Sequence, residues 1–294
     1  MNYVISAASG YDCAALTPFL ASAQRHLKSF KMILLIQKQD FTVLKPLLSR
    51  FPFVSFEYIE RGDLRQMIAC WLKYVLFRRS KTYQQKDRHG LSLETRQEIE
   101  VGMNPCLTRF FFIEKLLQNL DLQPDSRIML ADSRDIIFQG DAFGLLSEPF
   151  VTGYEPVTVG KKDQWIGRVY GEEGQKALHR RQVICAGFSI GGAAEVRRYV
   201  GVLCDELWAR LFKILFHRGP DQAVHIRLFH DGRLPARICH NHEGLIATIS
   251  MEGTNNLEID RAGGVVKVYG KIPVVLHQYD RFADIAQFVQ ELYP

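Results

Sequence analysis

The stretch "RIMLADSRDIIFQGDAF", Arg127–Phe143, decides the fold. Ile128, Met129, Leu130 and Ala131 make a continuous apolar run, the pattern of a strand buried on both faces. Ile136, Ile137 and Phe138 read as its apolar continuation. Asp132, Ser133, Arg134 and Asp135 stand between the two runs. Burying an unpaired charge is costly, so such groups pair, bind a metal or face a cleft at a strand end. Two readings stay open here. Asp132 or Asp135 can pair with Arg134 and close the strand. Alternatively, the two carboxylates can hold Mg²⁺ or Mn²⁺, hard cations that prefer carboxylate, water and phosphate oxygens. A cation on a diphosphate offsets the negative charge that the group develops as it leaves.

The flanks favour an α/β chain. "NYVISA", "KMILLIQ" and "FVSFEYI" read as three strands separated by helical stretches, Ala14 to His26 and "FTVLKPLLSRF". Strand alternating with helix is the signature of a mostly parallel sheet flanked by helices, with ligands beyond the carboxyl ends of the strands. Leu64 to Phe77 reads as a helix. Residues 78–103 are mostly polar and read either as a mobile insertion or as an ordinary surface loop. "NPCLTRFFFIEKLLQNL" reads as a buried helix with Asn104 as its cap. "QVICAGFSIGG" reads as a strand with a Gly-rich turn, then a long helix to Phe212. "GPDQAVHIRLFHDG" is a helix after a Gly-Pro start, where the helix dipole alone would favour Asp221. Arg237 to Val275 reads as β-rich, with turns at "EGTNN" and "RAGG". "IPVVLHQYDRF" is a last strand, and a helix closes the chain. With no internal repeat or linker, residues 1–294 read as one domain.

Composition narrows the function classes. At 47% hydrophobic residues, the 294-residue chain can bury a large core. The net charge of +5 comes from scattered basic pairs, a pattern that argues against a nucleic acid partner but suits a phosphate-bearing ligand. The six cysteines form no Cys-x-x-Cys pair and read as reduced thiols of a cytoplasmic protein. The N-terminus lacks the features of a signal peptide, and no run reaches the ~18 apolar residues of a membrane span. Peripheral membrane association stays open, although no strongly amphipathic basic helix points to it. No P-loop and no Gly-x-Ser-x-Gly elbow occurs. "CHNH", Cys239 to His242, lacks the second cluster a structural zinc site needs.

The run "IMLADSRDIIFQGDAFGLL" resembles the metal-binding segment of GT-A fold glycosyltransferases, especially the glycogenin-like retaining families. There a strand ends in Asp-x-Asp. Asp135 matches the second acid, Ser133 stands where the first would fall, and Asp132 lies one residue earlier. Three later segments resemble the family's motifs in the right order. In "VICAGFSIGG", Ala186 and Gly187 match an Asn-Ala-Gly strand whose backbone lies against the donor sugar, with Cys185 in place of Asn. In "GPDQ", Asp221 and Gln222 match an Asp-Gln motif near that sugar. In "VVLHQYDRF", His277 matches the His that completes the metal site. "SAASGYD" is similar to the first nucleotide-binding loop, with Ala7, Ser9 and Tyr11 edging a base and Tyr11 stacking on it. Arg109 falls where related proteins place an Arg close to the donor.

The resemblance implies a glycosyltransferase that takes a nucleotide-sugar donor, most simply a UDP-sugar, and a glycan, lipid or small-molecule acceptor. It implies Mn²⁺ or Mg²⁺ on Asp135, His277 and Asp132, with retention at the anomeric carbon. No residue stands out as a general base. Two other readings remain: a non-catalytic nucleotide-sugar binding protein with a degenerate site, and a metal-dependent phosphohydrolase with Asp132 as nucleophile.

Overall fold

The computed structural model describes residues 1–60, 64–79, 96, 99–100, 105–161, 164–214, 217 and 219–294. The expected insertion at 78–103 lies largely outside the described residues, and Asn104 lies wholly outside them.

A seven-stranded sheet forms the centre. Its strands are β1 (Asn2–Ala7), β2 (Phe30–Ile36), β3 (Val54–Tyr58), β4 (Arg127–Ala131), β6 (Phe150–Thr158), β7 (Gln182–Gly192) and β8 (Arg237–Cys239), and the spatial order is β3-β2-β1-β4-β7-β6-β8. The first four are mutually parallel, β7 runs antiparallel to both its neighbours, and β6 and β8 are parallel. The chain is therefore α/β with a mostly parallel central sheet, as its alternating pattern predicts.

Burial on both faces accounts for the continuous apolar runs. Successive side chains point to opposite sides of a strand. In β1 and β4, Val4, Met129 and Ala131 enter one core cluster, while Ile5, Ile128 and Leu130 enter the other. Helix α1 (Cys13–His26) contributes Leu16, Phe19, Leu20 and Ala23 to the first cluster. Its N-terminus is capped by Asp12, whose Oδ1 accepts the Ala15 N–H at 2.8 Å. The short helices α2 (Phe41–Leu44) and α3 (Pro46–Arg50) lead into β3, and α4 (Leu64–Arg79) follows it. The second cluster is covered by α5 (Pro105–Asn119), α6 (Gln164–Leu178), α7 (Ala193–Ala209) and α8 (Pro220–His230). Gly171, with φ +71°, breaks α6 into two pieces.

Ile136–Phe138 is not a continuation of β4. It forms β5 in a separate three-stranded sheet, antiparallel to β12 (Val275–His277), which in turn runs parallel to β9 (Ile246–Thr248). Four polar residues at 132–135 carry the chain from one sheet to the other. Apolar content marks both runs as buried strands but says nothing about which partner each will take. The Gly-rich turn expected near "SIGG" is also absent. β7 runs through Gly191 and Gly192, and α7 starts directly after. A Cβ at Gly191 would lie 2.6 Å from the Pro149 carbonyl oxygen, so glycine here serves close strand packing. The expected turns at "EGTNN" and "RAGG" flank and join β10 (Leu257–Asp260) and β11 (Val265–Val268), and helix α9 (Ala283–Leu292) closes the chain. Among the described residues, no helix is long and apolar enough to cross a membrane.

Phe138 joins the second sheet to the first layer. It is fully buried, and its ring centroid lies 5.7 Å from that of Phe19 on α1. Phe138→Ala is expected to lower the unfolding free energy by about 3–5 kcal/mol, read by urea denaturation. A change below about 1 kcal/mol would contradict this packing.

Candidate active site

The parallel strands converge on one cavity of about 530 Å³. Ala7, Ser9 and Tyr11 line it from the end of β1, Gln37 from β2, Ile59 and Glu60 from β3, and Asp132 to Asp135 from β4. Carboxyl ends of parallel strands are where an α/β sheet presents its ligand site. Arg109 reaches the cavity from α5, Ala186 and Gly187 from β7, and Asp221 and Gln222 from the start of α8. Of the eleven residues singled out in the sequence, only His277 does not line the cavity. It sits behind the wall, 1% exposed, at the end of β12.

Local pairing sets this geometry. Ser133 turns back, and its hydroxyl donates to the Ala7 carbonyl at 2.8 Å. Asp132 is anchored by its N–H, which donates to the Gly187 carbonyl at 2.8 Å. β5 then pairs Ile136 with His277, and the Gln278 N–H donates to the Asp135 carbonyl at 2.7 Å. Ligating atoms of Asp132, Asp135 and His277 consequently all lie within 4.8 Å of one another. A four-residue Asp-x-x-Asp spacing thus brings two carboxylates to one imidazole, with the intervening Ser tied to β1.

Three observations fit this group to a divalent cation. His277 Nε2 is buried without a hydrogen-bond partner, and its nearest acid oxygen, Asp135 Oδ1, is 3.5 Å away. A ligating imidazole carries its proton on the other nitrogen, which needs an acceptor. Cys185 Sγ and Thr248 Oγ1 each lie 3.4 Å from Nδ1. Gly187 keeps the space open. A Cβ there would fall 2.4 Å from His277 Cε1, 2.7 Å from Nε2 and 2.8 Å from Asp132 Oδ2. Two carboxylates and one imidazole suit Mn²⁺ or Mg²⁺ when phosphate and water complete the shell.

The electrostatics separate the two acids. Enclosure by the protein pushes Asp132 above the usual carboxylate range, and Arg109 opposes that shift. Burial also acts on Asp135, but the His277 imidazole beside it, then Arg281 and Arg134, outweigh it and hold Asp135 below its ordinary value. Burial works against a charged His277, yet Cys185 and Asp135 outweigh it and raise the imidazole well above its usual value. A cation entering here displaces that proton.

Arg109 joins the two halves of the site. It donates to Asp132 Oδ1 at 3.0 Å and to Asp221 Oδ2 at 2.7 Å. Gln222 holds β7 in place: its Oε1 accepts the Ala186 N–H at 3.0 Å, and its Nε2 donates to the Ile184 carbonyl at 2.6 Å. Tyr11 is partly buried at the rim, with the Arg134 guanidinium 6.0 Å from its ring centroid.

Gln278, Arg281 and Glu155 of the wall escaped the sequence reading, and Arg134 was read only as a partner for Asp132 or Asp135. Arg134 and Arg281 share Asp280, at 2.9 and 2.8 Å. Gln278 lines the cavity with φ +61°, a left-handed backbone that a non-glycine residue adopts at a cost of about 1–2 kcal/mol. Glu155 lines the cavity from β6 and is 2% exposed. Its signal, an acid inside the apolar run "FVTGYEPV", is the same one that marked Asp132 and Asp135.

No family model and no curated protein matches the sequence. Among solved structures, the chain is similar to the galactosyltransferase LgtC, crystallised with donor and acceptor sugar analogues. The superposition covers 100% of this chain and 97% of that one, with a TM-score of 0.51 and 11% identity. The expected fold class stands: the chain has an α/β GT-A fold, similar to that of this galactosyltransferase.

Gly187→Ala is expected to weaken Mn²⁺ binding on the order of 10–100-fold, the scale seen when supporting groups of a metal site are disturbed. Isothermal titration measures it. Unchanged affinity would mean that the cation does not bind between Asp132 and His277.

Proposed function

We propose that this protein is a divalent-cation-dependent glycosyltransferase of glycogenin-like type. It moves a sugar from a nucleotide-diphosphate sugar, taken to be a UDP-sugar, to an acceptor hydroxyl with retention. The single observation that carries this reading is the buried His277 Nε2, which makes no hydrogen bond and stands beside Asp132 and Asp135, at the converging ends of four parallel strands in a GT-A fold. The LgtC likeness supports the fold, and the resemblance of the ordered motifs supports the donor class. The whole chain would form one such domain, working in the cytoplasm.

Asp132, Asp135 and His277 would hold Mn²⁺ or Mg²⁺, which when bound compensates the charge of the departing diphosphate. Tyr11, with Ala7 and Ser9, would seat the base. Arg134 and Arg281 bring positive charge to the same wall, where their planar forks suit phosphate oxygens. Gln222 fixes the backbone of Ala186 and Gly187, which would lie against the sugar. Asp221, oriented by Arg109, would hold a sugar or acceptor hydroxyl near the reacting carbon. The acceptor oxygen attacks the anomeric carbon as its bond to the diphosphate breaks. The acceptor proton leaves with the departing phosphate oxygen, so this path needs no protein base.

Asp135→Ala is expected to abolish UDP release from UDP-sugars in the presence of Mn²⁺ and an acceptor panel, while thermal unfolding stays cooperative. Near-normal turnover by this variant sinks the assignment. Donor binding by the wild type without turnover on any acceptor would favour the non-catalytic reading.

A further inference from the structure

Cys185 is a buried thiol to which the proposed reaction gives no part. It stands two residues before Gly187 on β7, so both point to the same side of the strand. Both meet His277. The space that a Cβ at Gly187 would fill lies against Cε1 and Nε2 of the ring, and Cys185 Sγ stands 3.4 Å from Nδ1. One strand thus follows the edge of the imidazole, from the nitrogen that faces the acids to the nitrogen that does not. His277 and Cys185 are both buried, which leaves the partner of Nδ1 to the protein. Among the described residues, two atoms are within reach of it, Cys185 Sγ and Thr248 Oγ1, each at 3.4 Å. Equal distances are not equal contacts. An N–H···O bond spans about 2.7–3.2 Å, so the hydroxyl is too far for a good one. Sulfur is the larger atom and is in contact at that separation. Thr248 is held by its backbone instead. Asn241 of "CHNH" accepts the Thr248 N–H at 2.9 Å and donates to its carbonyl at 3.0 Å, and β9 pairs with β12. The place of Thr248 therefore does not depend on its hydroxyl.

We propose that Cys185 is a positioning residue for the metal-binding imidazole: its sulfur accepts the Nδ1–H of His277 and so leaves the Nε2 lone pair turned toward Asp132 and Asp135. Sulfur is a weak acceptor, but here it faces no competition from solvent. Without it the ring loses the preference between its two neutral forms. In the other form the proton sits on Nε2 and blocks the lone pair that a cation needs. Cys185 and Gly187 then act together, one fixing the ring and the other leaving the volume beside it free. This role rests on the reading of Asp132, Asp135 and His277 as a cation site.

The test is isothermal titration of the full chain with Mn²⁺, comparing the wild type with Cys185→Ala and Thr248→Val. Cys185→Ala is expected to weaken binding on the order of 10–100-fold, the scale seen when the group that orients a metal-binding His is removed. Thr248→Val is expected to bind like the wild type. Cys185→Val, which fills the space without offering an acceptor, carries the same expectation as Cys185→Ala and replaces it if the smaller side chain prevents folding. A second measurement sees the partner itself. In the Mg²⁺-loaded protein, the ¹H resonance of His277 Nδ1–H is expected to move in the Cys185 variants and to stay in place in Thr248→Val. Unchanged Mn²⁺ affinity in the Cys185 variants overturns the proposal. So does a fall in affinity with an unmoved resonance, since the thiol would then act through packing alone. Loss of affinity and a moved resonance in Thr248→Val, with neither in the Cys185 variants, overturns it in favour of the hydroxyl. No Mn²⁺ binding by the wild type is a different failure: it removes the cation site, and the role of Cys185 with it.

Discussion

The antiparallel pairing of Ile136 with His277 sets the distance between the acids and the imidazole. β4 ends at Ala131 in the central sheet and β5 begins at Ile136 in another, so residues 132–135 must cross between sheets. One side of that crossing is tied to β1 through Ser133 and to β7 through the Asp132 N–H. The other is tied to β12 through the Gln278 N–H. A slip of one residue in the β5–β12 register would turn His277 to the opposite face and remove it from the site. The left-handed backbone at Gln278 follows directly after this constraint and is the place where the site stores strain.

Charge balance is the second requirement. Asp132, Asp135 and Asp221 would repel one another in a partly enclosed cavity, and Arg109 keeps two of them compatible by bridging them. Arg281 stands 3.8 Å from Asp135. The site thus combines acids that can hold a cation with guanidinium groups that can hold an anion, an arrangement suited to a metal–diphosphate pair rather than to either ion alone. Gly187 belongs to the same balance. Its missing side chain leaves the volume between Asp132 and His277 free while its carbonyl holds Asp132.

Much of this was legible in the residues. The apolar runs of β1, β2, β3 and β4 follow from local chemistry, and the acids after Ala131 announced themselves by interrupting such a run. The order of Asp132, Gly187, Asp221 and His277 along the chain pointed to a shared site because the resemblance supplied their relation in space. What stayed hidden depends on long-range pairing. Nothing local to Ile136–Phe138 says that it joins β12 rather than extending β4. Gly191 and Gly192 look like a turn because glycine serves both turns and tight strand contacts. Glu155 was passed over although it carries the same signal as the acids that were noticed.

The account stands on Asp132, Asp135 and His277 forming one cation site that accepts a nucleoside diphosphate. The most direct test is the thermal midpoint of the protein with UDP, GDP or CDP, each with Mn²⁺ or with EDTA. At about 100 times its Kd a ligand adds about 2.7 kcal/mol of stability. For a chain of this size that corresponds to a rise of roughly 5–10 °C. The account predicts such a rise with UDP and Mn²⁺ and its disappearance with EDTA. No shift with any nucleotide, or a shift indifferent to Mn²⁺, would contradict it and leave the acids as ion-pair partners of Arg109, His277 and Arg281.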